Sequence, residues 1–394
     1  MSKFLPDVAD ITTGKLDANA AVIGGEYPFF TCAPEPSQID SFVFDEDAVL
    51  LAGNNAQGNF HISRYNGKFN AYQRTYVITA KDGYDIDYIS YSIEIALSHL
   101  KKIAQGSQTK FLTKQILDSF IIADRDLQAQ KDIVKILKPI DDKFINNNRE
   151  LMILEEMVKT IYDYWFVQFD FPDANGRPYK TSGGKMEWNE TLSREIPAGW
   201  EVGQVCDLGE VIAGGTPSTE HPEYFTSEGI AWITPKDMSL LDGKYIFHGG
   251  TDISEEGLKN SSAKLMPAGS VVYTTRAPIG YVAIAGNDVC TNQGFKSVVP
   301  KKDFGTEFVY YTLKSLEVHF KNVGNGSTFS EVSKETFSTV PICIPSKEVI
   351  INFMGKVDKL SDMQKKAQLE NRKLIALRDF LLPMLMNGQV TFRQ

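Results

Sequence analysis

The sequence predicts an α+β protein: two globular domains of mixed α/β character, joined by two long antiparallel coiled-coil helices in a pseudo-twofold internal repeat. Two observations lead to this prediction. Two stretches place apolar residues at alternating steps of three and four, which is the pattern of a coiled-coil seam. The segments that precede these two stretches share a sparse set of similar residues, which indicates a duplicated module.

The first long helix is predicted over residues 126–168. Its seam residues are Ile133, Leu137, Ile140, Phe144, Asn147, Leu151, Leu154, Val158, Ile161 and Trp165. Because Pro139 lacks a backbone donor and clashes with the preceding turn, we expect a kink or a restart there. From Pro139 to Phe166 an unbroken helix would span roughly 40 Å, longer than one turn of B-DNA. A spacing role and a plain core helix hairpin both fit this periodicity.

The second long helix is predicted over residues 347–390. Its seam residues are Ile350, Phe353, Val357, Leu360, Gln364, Ala367, Asn371 and Leu374, followed after a phase skip by Leu377, Leu381 and Met384. Gly355 weakens this helix at nearly the seam position that Pro139 occupies in the first.

The first globular domain is predicted over residues 1–125, a linker over 169–199 and the second globular domain over 200–346. In the first domain, strands are predicted at 48–52, 59–63 and 76–79. Turns are predicted at 53–55, 58 and 66–67, and a helix at 84–103. The linker assignment depends on its content of Gly, Pro and Asp.

The second half of the chain repeats the first with changed residues, over about 200 residues in each half. Asp207 matches Asp7, Gly214 matches Gly14, Gln293 matches Gln73 and Lys334 matches Lys114. A common frame carrying two different binding heads explains this pattern, and so does gene duplication followed by neutral drift.

The composition indicates an ordinary globular protein, with 42% hydrophobic and 23% charged residues. The net charge of -9 argues against a simple nucleic-acid binder, because phosphate neutralisation needs Lys and Arg. The four cysteines are far apart in the sequence, which fits a reduced cytoplasm. We expect no export and no membrane span.

No catalytic motif is found. Residues 182–186 fail the phosphate-binding loop pattern at both ends, and residues 214–217 do not match a dinucleotide-binding loop. The five histidines are isolated in the sequence, so no zinc site is predicted. The sequence therefore favours a non-catalytic binding protein with two heads, whose Arg, Gln, Asn and Lys side chains suit base edges and phosphates.

Four segments carry a family resemblance: residues 161–172, 176–186 and 377–390, and the pentapeptide Ile196-Pro197-Ala198-Gly199-Trp200 that opens the second domain. They resemble the specificity subunits of type I restriction-modification systems. The resemblance spans nearly the whole chain, although the globular domains match only in pattern. Two departures are that the first domain has no counterpart of Pro197 to Trp200, and that Pro139 interrupts the first helix.

The resemblance implies two target-recognition domains, each reading one part of a split site in double-stranded DNA, with the paired helices setting the gap. It implies assembly with two modification subunits, which bind S-adenosylmethionine and methylate adenine, and with restriction subunits that translocate and cleave using ATP and Mg. This chain would hold no cofactor and would act in cytoplasmic host defence. A non-DNA-binding coiled-coil adaptor and a self-sufficient modification enzyme are the alternatives.

Seven residues are candidates for DNA reading. They are Arg276, Asn292, Gln293 and Lys296 in the second domain and, as counterparts in region by the repeat, Arg64, Gln73 and Arg74 in the first. A bidentate contact from Arg to guanine, or from Gln or Asn to adenine, contributes about 1–3 kcal/mol of discrimination. Each candidate could equally be an ordinary surface residue or a structural hydrogen bonder.

Overall fold

The computed structural model describes residues 2–56, 58–106, 109–276, 278–325 and 331–390. The chain forms two compact units. Unit 1 contains Met1–Ile145 and Arg372–Gln394, and unit 2 contains Asn146–Asn371. Each unit therefore includes one globular part and a portion of both long helices.

The two long helices are Leu127–Tyr162, which continues as a π-helical turn over Asp163–Val167, and Lys347–Met386. They run antiparallel in unit 2. Asn147 bonds to Asn371 at one end of the pair, and Tyr162 packs on Phe353 towards the other.

The first long helix passes through Pro139 without ending, so the predicted restart is wrong. Pro139 and Lys135, whose carbonyl loses its donor, are both exposed, and water can satisfy that carbonyl. The second long helix likewise continues through Gly355.

Burial confirms the predicted seams, with one exception. The predicted seam residues of both helices are buried or half-buried, but Leu377 is 45% exposed. Beyond Leu374 the half-buried position is Arg378, followed by the buried Leu382 and Leu385. The prediction failed here because a search for apolar periodicity passes over a charged residue in the seam.

Unit 1 is built on a six-stranded sheet. In spatial order its strands are Ala9–Thr13, Thr75–Ala80, Phe44–Ala52, Ile62–Ala71, Tyr27–Phe30 and Ser37–Ile39. Only the pairing of Ile62–Ala71 with Tyr27–Phe30 is parallel. The predicted turn at 66–67 is wrong, because these residues continue the strand Ile62–Ala71 and pair with Glu46 and Asp47.

Short elements complete unit 1. Two two-stranded sheets pair Ser2–Phe4 with Ile121–Ala123 and Asn54–Asn55 with Lys110–Phe111. The short helices are Leu5–Val8, Ala18–Ala20, Ile86–Ile95, Leu97–Ile103 and Lys114–Asp118. The predicted helix at 84–103 is thus two helices that meet at Ala96.

Unit 2 contains a five-stranded sheet. In spatial order its strands are Gly209–Ala213, Lys296–Pro300, Val271–Tyr273, Val282–Ala285 and Tyr245–Ile246, with only the last pair parallel. A four-stranded sheet consists of Phe225–Thr226, Thr251–Ile253, Ile230–Ile233 and Val289–Thr291. Glu201–Gln204 pairs with Pro341–Ile344. The helices of the head are Val205–Asp207, Pro222–Tyr224, Pro235–Ser239, Glu255–Lys259, Thr306–Ser315, Glu317–Asn325 and Lys334–Ser338.

The strand order confirms the predicted repeat. The strands Gly209–Ala213, Lys296–Pro300, Val271–Tyr273 and Val282–Ala285 of unit 2 match the first four strands of the unit 1 sheet in order, direction and chain connectivity. The sheet of Glu201–Gln204 with Pro341–Ile344 likewise matches that of Ser2–Phe4 with Ile121–Ala123. Three strands of the four-stranded sheet also have counterparts. Val289–Thr291, Ile230–Ile233 and Thr251–Ile253 pair first parallel and then antiparallel, as the end of Ile62–Ala71, Tyr27–Phe30 and Ser37–Ile39 do.

The stretch of residues 169–199 is folded within unit 2. It contains a hairpin of Met186–Asn189 and Arg194–Pro197. Phe171 stacks on Trp200 with ring centroids 5.0 Å apart, and both rings are buried in the core of the unit. This stretch therefore connects the first long helix to the second head and also contributes to the core.

Candidate nucleic-acid interface

One exposed loop of unit 1 carries two of the candidate residues. Gln73 and Arg74 lie in the turn between strands Ile62–Ala71 and Thr75–Ala80, and both side chains are exposed. The turn packs on Gly14, where an added Cβ would lie 1.8 Å from the carbonyl oxygen of Ala71. Only glycine permits this approach.

Gln73 is held on both its backbone and its side chain. Its backbone N–H donates to the carbonyl of Leu16 at 2.9 Å, and its Nε2 donates to Asp17 Oδ1 at 2.7 Å. The repeated glycine and the residues that follow it therefore fix the exposed amide at the edge of the sheet.

Unit 2 repeats this loop between strands Val289–Thr291 and Lys296–Pro300. An added Cβ on Gly214 would lie 1.9 Å from the carbonyl oxygen of Asn292. Gln293 is exposed, and its Oε1 accepts a hydrogen bond from the hydroxyl of Thr216. The Oδ1 of Asn292 accepts from the backbone N–H of Gly294 at 2.9 Å, so Asn292 shapes the loop.

A second segment borders each loop. In unit 1, the backbone N–H of Gly53 donates to the carbonyl of Arg74 at 2.8 Å. In unit 2, the backbone N–H of Thr275 donates to the carbonyl of Gly294, also at 2.8 Å. The next residue is Asn54 in unit 1 and Arg276 in unit 2. The unit 1 residue that corresponds to Arg276 is therefore Asn54, and Arg64 lies in the strand Ile62–Ala71.

Arg64 takes part in an ion-pair cluster within unit 1. Its Nε donates to Asp87 at 2.7 Å, its Nη2 to Asp47 at 2.8 Å and its Nη1 to the carbonyl of Ala48 at 2.6 Å. Burial alone would lower the pKa of Arg64, but the two carboxylates raise it above its usual range. All three nitrogens of the guanidinium thus have partners inside the unit.

Arg276 and Lys296 both lie beside Glu331. Arg276 is exposed and forms an isolated antiparallel bridge with Glu331. Lys296 is buried, and its Nζ lies 3.6 Å from Glu331 Oε1. The structure therefore brings Arg276, Asn292, Gln293 and Lys296 together around one loop, with Arg276 and Gln293 at the surface.

Sequence reasoning missed the residues that support the loops. Asp17 holds Gln73, Thr216 holds Gln293, and Trp232 Nε1 donates to the carbonyl of Gly215 at 3.0 Å. The positions of Asp17 and Thr216 shortly after the repeated glycines are the signal that could have identified them.

Each loop therefore carries an amide held by a side-chain hydrogen bond and has an Arg nearby in the backbone. Arg74 follows Gln73 in the loop, and Arg276 follows Thr275, whose N–H donates to the carbonyl of Gly294. Amide and guanidinium groups are the side chains that read adenine and guanine in the major groove. Among the described residues, no group of three or more His, Cys, Asp and Glu side chains could hold a metal ion. In the same part of the chain, no helix combines the length and apolarity needed to cross a membrane.

Comparisons with known proteins identify the class. The model of the type I restriction modification DNA specificity domain matches residues 1–156 and 197–371. This chain belongs to that family.

Its relatives have consistent names. The type I restriction enzyme EcoDI specificity subunit of Escherichia coli is 64% identical over 376 residues, which cover 90% of this chain and 80% of the relative. The MjaIX specificity subunit of Methanocaldococcus jannaschii is 40% identical over 201 residues, which cover 50% of this chain and 46% of that relative. The chain thus spans less than half the length of the MjaIX relative.

A solved structure supports the fold alone. The chain superposes on the type I restriction-modification S subunit from M. genitalium with a TM-score of 0.68, covering 98% of this chain and 95% of that one at 13% identity. The comparisons give no support to a coiled-coil adaptor, and these relatives are named as specificity subunits rather than as modification enzymes.

Proposed function

We propose that the chain is the sequence-recognition subunit of a type I restriction-modification complex, in which each head reads one part of a split double-stranded DNA site. One observation carries the proposal. The loop of residues 72–74 in unit 1 and 292–295 in unit 2, which we call the glutamine loop, occurs on the same backbone frame in both units, but its neighbours differ. Asp17, Arg74 and Asn54 surround Gln73, whereas Thr216, Gly294 and Arg276 surround Gln293. A shared frame with different side chains suits the reading of two different base sequences.

The helix pair sets the gap between the two parts of the site. Both helices are continuous, and buried amides lock them together in unit 2. Asn147 Nδ2 donates to Asn371 Oδ1 at 2.9 Å, and Asn371 Nδ2 donates to Asn148 Oδ1 at 2.6 Å. A polar pair buried in a seam penalises any other register, because a slip leaves the amides without partners.

The chain works with two modification subunits and with restriction subunits that act as translocases. S-adenosylmethionine belongs to the modification subunits, and ATP and Mg to the restriction subunits. The relatives' names as subunits of type I restriction enzymes support this assembly. The net charge of -9 is compatible with this assembly, because partner subunits can supply much of the phosphate contact.

The test is sequence-resolved adenine methylation of DNA from cells that express this chain with its modification subunits. We expect a split motif with a fixed gap. In Arg276→Ala, the part read by unit 2 relaxes or is lost, because one Arg–base contact provides about 1–3 kcal/mol of discrimination.

The matched control is Lys302→Ala. Lys302 is exposed and follows strand Lys296–Pro300 at the end away from the loop, so its replacement should leave the motif unchanged. Absence of any motif with active modification subunits would contradict the proposed function. An unchanged motif in Arg276→Ala would remove Arg276 from base reading.

A further inference from the structure

Two equivalent helices rest against the long helices, one in each unit. Head helix 1 is Ile86–Ile95 and head helix 2 is Thr306–Ser315, and both have ten residues. Tyr91 and Tyr311 occupy the same position within them. Three residues later the two helices differ in charge, since Glu94 corresponds to Lys314. We call the surface of the long helices that contacts each head helix its seat.

Seat 1 presents a cation to head helix 1. Arg378 of the second long helix donates to the carboxylate of Glu94. Its Nε also lies 2.5 Å from Oδ1 of Asp141, on the first long helix, as an ion pair. Tyr91 completes the cluster by donating its hydroxyl to Asp141 Oδ2 at 2.6 Å.

Seat 2 presents an anion to head helix 2. Lys314 Nζ donates to Oε1 of Glu155, on the first long helix, at 2.9 Å. Tyr311 donates its hydroxyl to Glu155 Oε2 at 2.9 Å, and Gln364 Nε2 donates to the same oxygen at 3.1 Å. The buried Lys244 Nζ lies 3.8 Å from this carboxylate.

Arg378 and Glu155 correspond to each other on the two long helices. Arg378 lies about two turns beyond Asn371, and Glu155 lies about two turns beyond Asn148, the residue bonded to Asn371. The pair at seat 1 is therefore the pair at seat 2 with both charges reversed. The Arg378 and Glu155 side chains are only 22% and 29% exposed, so solvent screens them weakly.

We propose that the two seats are keyed by opposite charge, so that seat 1 accepts a head helix that carries an acid and seat 2 accepts one that carries a base. A head with Lys at this position would meet Arg378 in seat 1, and a head with Glu would meet Glu155 in seat 2. Like charges brought together in a partly buried site oppose the wrong pairing. Arg378 and Glu155 are thus positioning residues that assign each head of the duplicated chain to its own seat.

The test measures hydrogen exchange by mass spectrometry on the full chain, so it does not depend on DNA reading. Glu94→Lys gives head helix 1 the charge of head helix 2. We expect exchange in head helix 1 to become about ten-fold faster or more, with no change in head helix 2. Adding Arg378→Glu and Asp141→Asn should restore most of the protection, because the pair is then reversed rather than broken.

The control is a double variant whose two substitutions lie in different seats. Arg378→Glu with Lys314→Glu places like charges in both seats, and neither seat should recover. If the reversed-pair variants fail to fold, the milder changes Glu94→Gln and Arg378→Gln replace them. Head helix 1 should then exchange no faster in the double variant than in the single variant with the larger effect. Two results would overturn the proposal. One is an exchange rate in the Glu94→Lys, Arg378→Glu double variant that rises by the product of the two single effects. The other is a wild-type exchange rate of head helix 1 in Glu94→Lys.

Discussion

At the scale of single residues, the glutamine loops show what a repeat in sequence can reveal. Gly14 and Gly214 matched each other in the sequence, and the structure gives the reason, because each lies against the backbone of its loop. Gln73 and Gln293 matched because each lies in that loop and forms a side-chain hydrogen bond with the segment that follows the glycine. The role of Arg64 could not be predicted, because its partners Asp47 and Asp87 come from a neighbouring strand and a helix.

Gly214→Ala should destabilise the protein and displace Gln293. The new Cβ would lie 1.9 Å from the carbonyl oxygen of Asn292, so backbone must move. Overpacking of this kind costs about 1–3 kcal/mol or more. Denaturant unfolding measures the loss of stability.

Gly355→Ala is the matched control for that prediction. Gly355 lies inside the second long helix, and among the described residues no atom other than its chain neighbours and the adjacent helix backbone lies within 4 Å of its Cβ position. Alanine there should raise the free energy of unfolding by about 0.5–1 kcal/mol, through helix propensity. Equal stability of Gly214→Ala and the parent chain would contradict the packing described for the loop.

At the scale of elements, the long helices were the most predictable part of the fold. Their seams repeat over many turns, so local periodicity identifies them. The structure departs from the pattern at Leu377, where the polar contacts of Arg378 with Glu94 and Asp141 occupy the seam position. Such contacts join distant parts of the chain, and periodicity carries no information about them.

The contact of head helix 2 with the first long helix should weaken in acid. Burial alone would raise the pKa of Glu155, but Lys244 and Lys314 lower it below its usual range. A carboxylate with a lowered folded pKa stabilises the fold above its unfolded pKa, about 4.3 for Glu, and loses this contribution as the pH falls through the folded pKa. The contribution of Glu155 to the unfolding free energy should therefore stay constant from pH 7 to about pH 5 and decrease as the pH falls further through the folded pKa.

Glu155→Gln should lower stability at pH 7, because Lys314 loses its anionic partner and Lys244 keeps only Glu307. It should also flatten the acid dependence. The control is Glu156→Gln, since Glu156 is the exposed neighbour. Denaturant unfolding at several pH values compares the three chains. An acid dependence in Glu155→Gln as steep as in the parent would show that other carboxylates are responsible.

At the scale of the whole molecule, one frame occurs twice and carries different additions. The sheet of unit 1 recurs in unit 2 as two sheets, and unit 2 adds the strands Phe225–Thr226 and Tyr245–Ile246. The repeat was predictable because close-packed glycines and loop residues recur. The added strands were not, because each has only two residues, too few to show an alternation of apolar and polar positions.

We propose that two loops on one frame read two different parts of one site. Adenine methylation mapped at sequence resolution in Gln73→Ala and in Gln293→Ala, each expressed with the modification subunits, tests it most directly. We predict that each variant relaxes or loses a different part of the split motif and that the gap stays constant in both. If both variants relaxed the same part, or both left the motif unchanged, the two loops would not be the reading surfaces of two heads.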